Sequence, residues 1–117
     1  MKNFKELRIW QNGKNIAVNC LKIVKDFPQQ EKFGLAIQIT RSVVSIPSNI
    51  PEGSRRPTEK YYRHFAEISL VSSYEPGTHL LIAQRVDIGD QDLTLKTLTD
   101  VSEEQKMLFG FINKLGR

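Results

Sequence analysis

Residues 35–53 read LAIQITRSVVSIPSNIPEG, and the spacing within them decides the fold. Leu35, Ile39, Val43, Ile46 and Ile50 recur at steps of three and four, which puts them on one face of an α-helix, and Ala36 and Val44 widen the stripe. Pro47 and Pro51 each lack an amide proton and crowd the carbonyl four residues back, so the last turns are expected to be bent or frayed. Gly53 is expected to stop the helix. A helix from about Glu31 to Ile50 or slightly beyond follows.

Working outward, the N-terminal side repeats the pattern. Ile9, Gly13, Ile16, Cys20, Ile23 and Phe27 alternate steps of four and three, with Trp10, Ala17, Leu21 and Val24 beside them. A first helix from about Phe4 to Phe27 is expected, capped by Asn3 with Glu6 and stopped by Pro28. On the C-terminal side, Pro57 and Thr58 suit the start of a third helix carrying Tyr61, Tyr62, Phe65, Ile68, Ser69 and Ser72. Pro76-Gly77 interrupts it; because Leu80, Leu81 and Ala83 resume the pattern, a kink is favoured over a split. Gly89 and Asp90 open a fourth helix, with Leu98, Val101, Leu108, Ile112 and Leu115 inward and Gly116 at its end. No strand-like alternation competes. The expectation is an all-α, antiparallel up-down four-helix bundle, one domain over residues 1–117, kinked near Pro76 in its third helix.

Composition narrows the function. A chain of 117 residues with 39% hydrophobic and 26% charged content suits one compact domain that needs no metal or disulfide staple. One cysteine, Cys20, excludes an intramolecular disulfide, and it is read as a small core residue. No apolar run reaches the length of a membrane span and the first residues lack a signal-peptide core, so a cytoplasmic, soluble protein is expected. The net charge is +4, and its excess is local: residues 1–26 carry +4 and residues 54–64 carry +3, while the rest is neutral or acidic.

Enzyme chemistry finds little to work with. The carboxylates are scattered and mostly surface-like, and Glu103 and Glu104, being adjacent, point in different directions on a helix and cannot form a paired acid–base site. No Glu-x-x-His pair or phosphate-cradling glycine loop is present, and Ser69, Ser72 and Ser73 have no ordered acid to complete a triad with His64 or His79. No catalytic residue, metal site or cofactor is expected. The best candidate is Arg55, Arg56, Lys60, Arg63 and His64, interleaved with Tyr61 and Tyr62 and helped by Lys2, Lys5 and Arg8. Such a set suits a phosphate backbone with an occasional stacked base. The alternative is that the tyrosines pack inward and the cations are solvated or paired with Glu59 and Glu67. Asn49 and Glu52, three residues apart, are expected to satisfy backbone groups freed by the prolines, with a ligand site as the alternative.

The chain resembles the bacterial four-helix-bundle proteins labelled ribosomal S23 or 23S rRNA intervening-sequence proteins. The resemblance rests on residues 4–11 (FKELRIWQ), Phe27-Pro28, residues 31–35 (EKFGL) and, most specifically, residues 41–53. There Ser45, Ile46, Asn49, Ile50, Glu52 and Gly53 match the family's S-I-x-x-N-I-x-E-G signature, with Pro47 at one of its open positions. Pro51 and Ser73–Gly77 depart from the usual pattern and leave the regularity of those helical segments open. The resemblance implies a ring, commonly a homopentamer. It also implies kinship with a basic accessory protein of retroelements that binds nucleic acid and a reverse transcriptase. It brings no catalytic residues. Two readings follow: a nucleic-acid-binding oligomer taking RNA or structured DNA, or a protein-interaction scaffold whose charge serves solubility. Oligomerisation is expected because the first helix carries more apolar width than one bundle core uses.

Overall fold

The structure, a computed structural model, describes residues 3–115. Lys2 and Gly116, the former among the candidate phosphate contacts, lie outside the described residues. A 3₁₀ turn, Phe4–Glu6, leads into α1 (Arg8–Lys25). A second 3₁₀ turn, Gln29–Glu31, precedes α2 (Leu35–Val43), which abuts α3 (Ser45–Ser54); α4 spans Glu59–Arg85 and α5 spans Gln91–Lys114. The protein is all-α, with no strand among the described residues.

The ends of these helices follow from local chemistry. Leu7 is extended (φ −77°, ψ 134°), so α1 begins later than the start near Phe4 that an Asn3 cap implies, and the Asn3 carboxamide oxygen accepts from the Lys5 amide at 3.0 Å, capping the preceding turn instead. Between α2 and α3 the chain keeps right-handed helical geometry at Val44 (φ −68°, ψ −23°). The two segments are therefore one rod, interrupted where Pro47 has no amide to give the Val43 carbonyl. Four rods result. Asp90 caps α5, its carboxylate accepting from the Leu93 amide at 3.0 Å, and Gly89 turns the chain into it at φ +80°.

Gly53 does not stop its helix. It lies buried in the last turn of α3, and a Cβ there would sit 2.7 Å from Tyr62 Cδ1 and 3.0 Å from Phe65 Cβ on α4. The missing side chain permits close approach of two helices. Pro76 likewise neither ends nor splits α4: the helix runs through it, and its fully buried ring recovers packing against the lost hydrogen bond.

The centre of each predicted stripe faces the interior, while Leu21, Val44, Tyr61 and Leu81 at the margins are exposed. Ile39, Val43, Ile46 and Ile50 are fully buried, as are Ile16, Cys20 and Ile23 of α1. α1 packs on α2, α3 and α5, and α4 packs on the same three. The core has two parts. One gathers Ile16, Ile23, Phe27, Ile39, Val43, Ile46, Leu80 and Val101. The other gathers Ile9, Ile50, Ala66, Leu70, Leu108 and Ile112. The molecule measures 45 × 23 × 20 Å. At 1.5 Å per residue α4 is about 40 Å long and spans nearly the whole of it.

Two of the helical glycines, Gly53 and Gly110, separate packing from propensity. Gly53→Ala is expected to lose about 1–3 kcal/mol through overpacking against Tyr62. Gly110→Ala, where a Cβ meets nothing within 4 Å, is expected to gain up to about 1 kcal/mol. Urea denaturation of both variants checks the pair.

Candidate nucleic-acid interface

The second part of the core brings distant sequence together. Ile9 opens α1, Ile50 lies in the second half of α3, Ala66 and Leu70 follow the start of α4, and Leu108 and Ile112 lie near the end of α5. The cations flanking these positions therefore share one end of the molecule. Lys5 and Arg8 come from the start of the chain, and Arg55, Arg56, Lys60 and Arg63 from the α3–α4 connection. Lys114 joins them: it lines a groove of about 340 Å³ with Leu7, Arg8, Met107 and Phe111. Sequence reasoning passed over Lys114 because it lies in an acidic segment. The signal was its position in a last helical turn, where a cation also suits the helix dipole.

The cations differ in freedom. Arg55 and Lys60 are exposed. Arg56 lies with its guanidinium 4.8 Å from the centre of the Phe65 ring and 3.6 Å from Glu52, a half-exposed pair worth little in stability. Arg63 is half-buried, and its Nη1 donates to the Ile112 carbonyl at 2.8 Å, closing the end of α5. The tyrosines also divide. Tyr61 is exposed, whereas Tyr62 is buried with its ring edge-on to Phe111 at 5.1 Å.

The signature residues of α3 do not form one cluster. The Asn49 carboxamide donates to the Ser45 carbonyl at 2.7 Å and to Ser45 Oγ at 2.9 Å, and Ser45 Oγ pairs with Ser72 Oγ at 2.9 Å across to α4. Asn49 thus reinforces its own helix one turn below the point where Pro47 interrupts it, rather than reaching the carbonyls of Val43 or Pro47. Glu52 is exposed and faces Arg56. Pro47 is half-buried beside Gly13.

Two features lay outside the sequence reading. Glu104, read as a surface carboxylate, is fully buried, because Gly13 on α1 leaves room opposite it. The wider apolar row of α1 is partly consumed: Ala17 is buried, Trp10 and Val24 are half-buried, and Leu21 is exposed. Exposed apolar side chains collect instead on α4, where Val71, Tyr74, Leu81 and Ile82 recur at helical spacing, with Val86 just past its end and Leu95 on α5. Tyr74 and Leu81 border a groove of about 310 Å³ with Leu98 and Val101.

Among the described residues no three His, Cys, Asp or Glu side chains gather to hold a metal, and no helix is long and apolar enough to cross a membrane. Cys20 is buried and desolvation pushes its thiol up to about 12, so it is inert as a nucleophile. Residues 5–110 match the family described as 23S rRNA-intervening sequence protein. The fold is similar to that of a protein of unknown function from the S23 ribosomal protein family of Bacteroides thetaiotaomicron. The TM-score is 0.78 at 22% identity, covering 91% of this chain and 99% of that one. Among curated proteins no relative matches.

The hydrogen bonds above separate structural from exposed positions. Arg63→Met is expected to lose about 1.5–3 kcal/mol, since it leaves the Ile112 carbonyl without its charged donor, and Asn49→Ala about 1 kcal/mol. Arg55→Gln is expected to stay within about 0.5 kcal/mol of the parent. Thermal melts of the three variants read the difference.

Proposed function

The chain belongs to the 23S rRNA-intervening sequence protein family, and we propose that it is a non-enzymatic, cytoplasmic homo-oligomer that holds RNA by its phosphates. The observation that carries this reading is the meeting of two basic stretches, far apart in sequence, around one end of the core. Arg55, Lys60, Lys5 and Arg8 are exposed there, Arg56 is half-exposed, and Tyr61 stands among them as a stacking surface. Arg63 and Lys2 complete the set the sequence suggests. In this reading the four rods form an antiparallel up-down bundle with α4 bent at Pro76. The common neighbourhood of the start of α1, the end of α3, the start of α4 and the end of α5 supports that order.

Copies of the bundle form a closed ring, of the five-subunit kind that the resemblance implies. The exposed apolar side chains of α4 support the association, since they are unused by the chain's own core. A ring repeats the basic end in every subunit. A weak phosphate contact then gains avidity, provided one RNA can reach several ends together. Structured DNA offers the same phosphates. The α4 face also favours a second reading, in which a protein partner docks there and the cations serve solubility.

Two measurements test these readings. Filter binding of a long RNA is expected to fall at least about tenfold between 50 and 200 mM salt, by counterion release. The variant Arg55→Gln, Arg56→Gln, Lys60→Gln, which keeps the structural Arg63, is expected to bind more weakly and less salt-dependently. Equal affinity in both proteins, or no binding at low salt, leaves the protein scaffold. Light scattering at micromolar concentration is expected to give a multiple of the 13.4 kDa subunit mass, and a monomer would defeat the ring.

A further inference from the structure

Glu104 is a carboxyl group held in the wrong place for a charge. It is fully buried on α5, between α1 and the core. Its Oε1 accepts from the Asn12 carboxamide at 3.1 Å, and the same Asn12 nitrogen donates to the Asp100 carbonyl at 3.0 Å. Its Oε2 is buried without a partner. That oxygen lies over Gly13, where a Cβ would stand 3.1 Å from it and 3.2 Å from Ile46 Cγ2. One oxygen thus ties α5 to α1 while the other faces a hydrocarbon wall.

The surroundings offer this group little compensation. The buried residues of α2 are Ala36, Ile39 and Val43, and those of α3 are Ile46, Ile50 and Gly53. On the inward face of α4 the titratable groups are Tyr62, whose phenol burial raises, and His79, half-buried with its Nδ1 buried and unpartnered. On α1 it is Cys20, pushed up to about 12. Tyr62 and Cys20 stay neutral through the range in which a carboxyl titrates. The nearby charges are Arg8 on α1 with Asp100 and Glu103 on α5. They line a polar cleft of about 370 Å³ beside Asn12, and Asp100 is already paired with Lys96 at 3.0 Å.

We propose that Glu104 is a proton-controlled latch on the α1–α5 seam: protonated, it stays inside and is tied to Asn12; ionised, it leaves the core for the adjoining cleft and loosens the seam. The cleft supplies the destination: it opens to solvent and has the Arg8 guanidinium on its wall to receive a carboxylate, beside the carboxylates of Asp100 and Glu103. Asn12 and Asp100, joined across the seam by the Asn12 hydrogen bond, line it too. Burial raises the Glu104 carboxyl from 4.5 to about 8, against a smaller opposing effect of the Asn12 hydrogen bond. The native state therefore keeps a proton that the unfolded chain has released, and stability falls as pH rises from about 4.5 to about 8, then levels.

The experiment has two arms on the full chain. Carbon-13 NMR of glutamate side-chain carboxyls in the wild type is expected to show one carboxyl titrating near pH 8, absent in Glu104→Gln, with the rest in the ordinary range. Amide exchange, corrected for its intrinsic pH dependence, is expected to show protection around residues 12–17 and 100–108 falling at least tenfold from pH 6 to pH 9 in the wild type. In Glu104→Gln it is expected to change less than twofold. If every glutamate carboxyl titrates in the ordinary range, the latch is overturned, whether or not the variant folds. If the seam keeps its protection at pH 9, or both proteins lose it together, the latch is overturned as well.

Discussion

The close approach of α3 to α4 is the constraint on which the rest depends. Pro47 and Pro51 leave α2–α3 short of two ladder hydrogen bonds, so this rod cannot rely on its own backbone. It is held from outside. The Ser69 hydroxyl on α4 donates to the Ile46 carbonyl at 2.6 Å, Ser72 meets Ser45, and Gly53 lets the backbone of α3 settle against Tyr62. Small polar side chains do this work because larger ones would separate the helices. With α3 seated, Tyr62 turns its ring to Phe111, and Arg63, one residue on, reaches the last turn of α5. The end of the molecule that carries the cations is thus built on a contact between backbones.

The four rods were legible from periodicity because each buries one stripe, and Ile39, Val43, Ile46 and Ile50 show why: all four are fully buried. Helix ends were less legible. Gly53 has the residue type of a helix stop, and its actual role depends on Tyr62 lying opposite, which no local pattern contains. Pro76 has the residue type of an interruption, yet its ring is buried inside a continuous α4. In both cases a tertiary neighbour outweighs a local preference of about 1–3 kcal/mol.

The candidate site was legible as charge and illegible as geometry. Counting cations found the stretches at 1–26 and 54–64, but it could not separate Arg55, which is exposed, from Arg63, which closes a helix end. It could not tell Tyr61 from Tyr62 either, although a helix turns adjacent residues by 100° and only one of the two can face water when α4 packs. Glu104 was misread for the converse reason. Carboxylates are almost never fully buried, so the expectation followed the general rule. The exception is made by Gly13, ninety-one positions earlier in the chain.

The basic end and the apolar flank are separated along α4, and that separation bears on the ring reading. Arg63 stands at the start of the helix, whereas the exposed apolar residues run from Val71 to Val86, the first of them about 12 Å further along. Copies that associate through the flank leave the cations uncovered. In a closed ring every subunit is related to the next by the same rotation, so all the basic ends fall on one rim. Like charges on that rim repel, a cost that rises as salt is removed and that a bound polyanion relieves. A ring of that kind would therefore gain most from a polyanion at low salt, where counterion release also favours phosphate contacts.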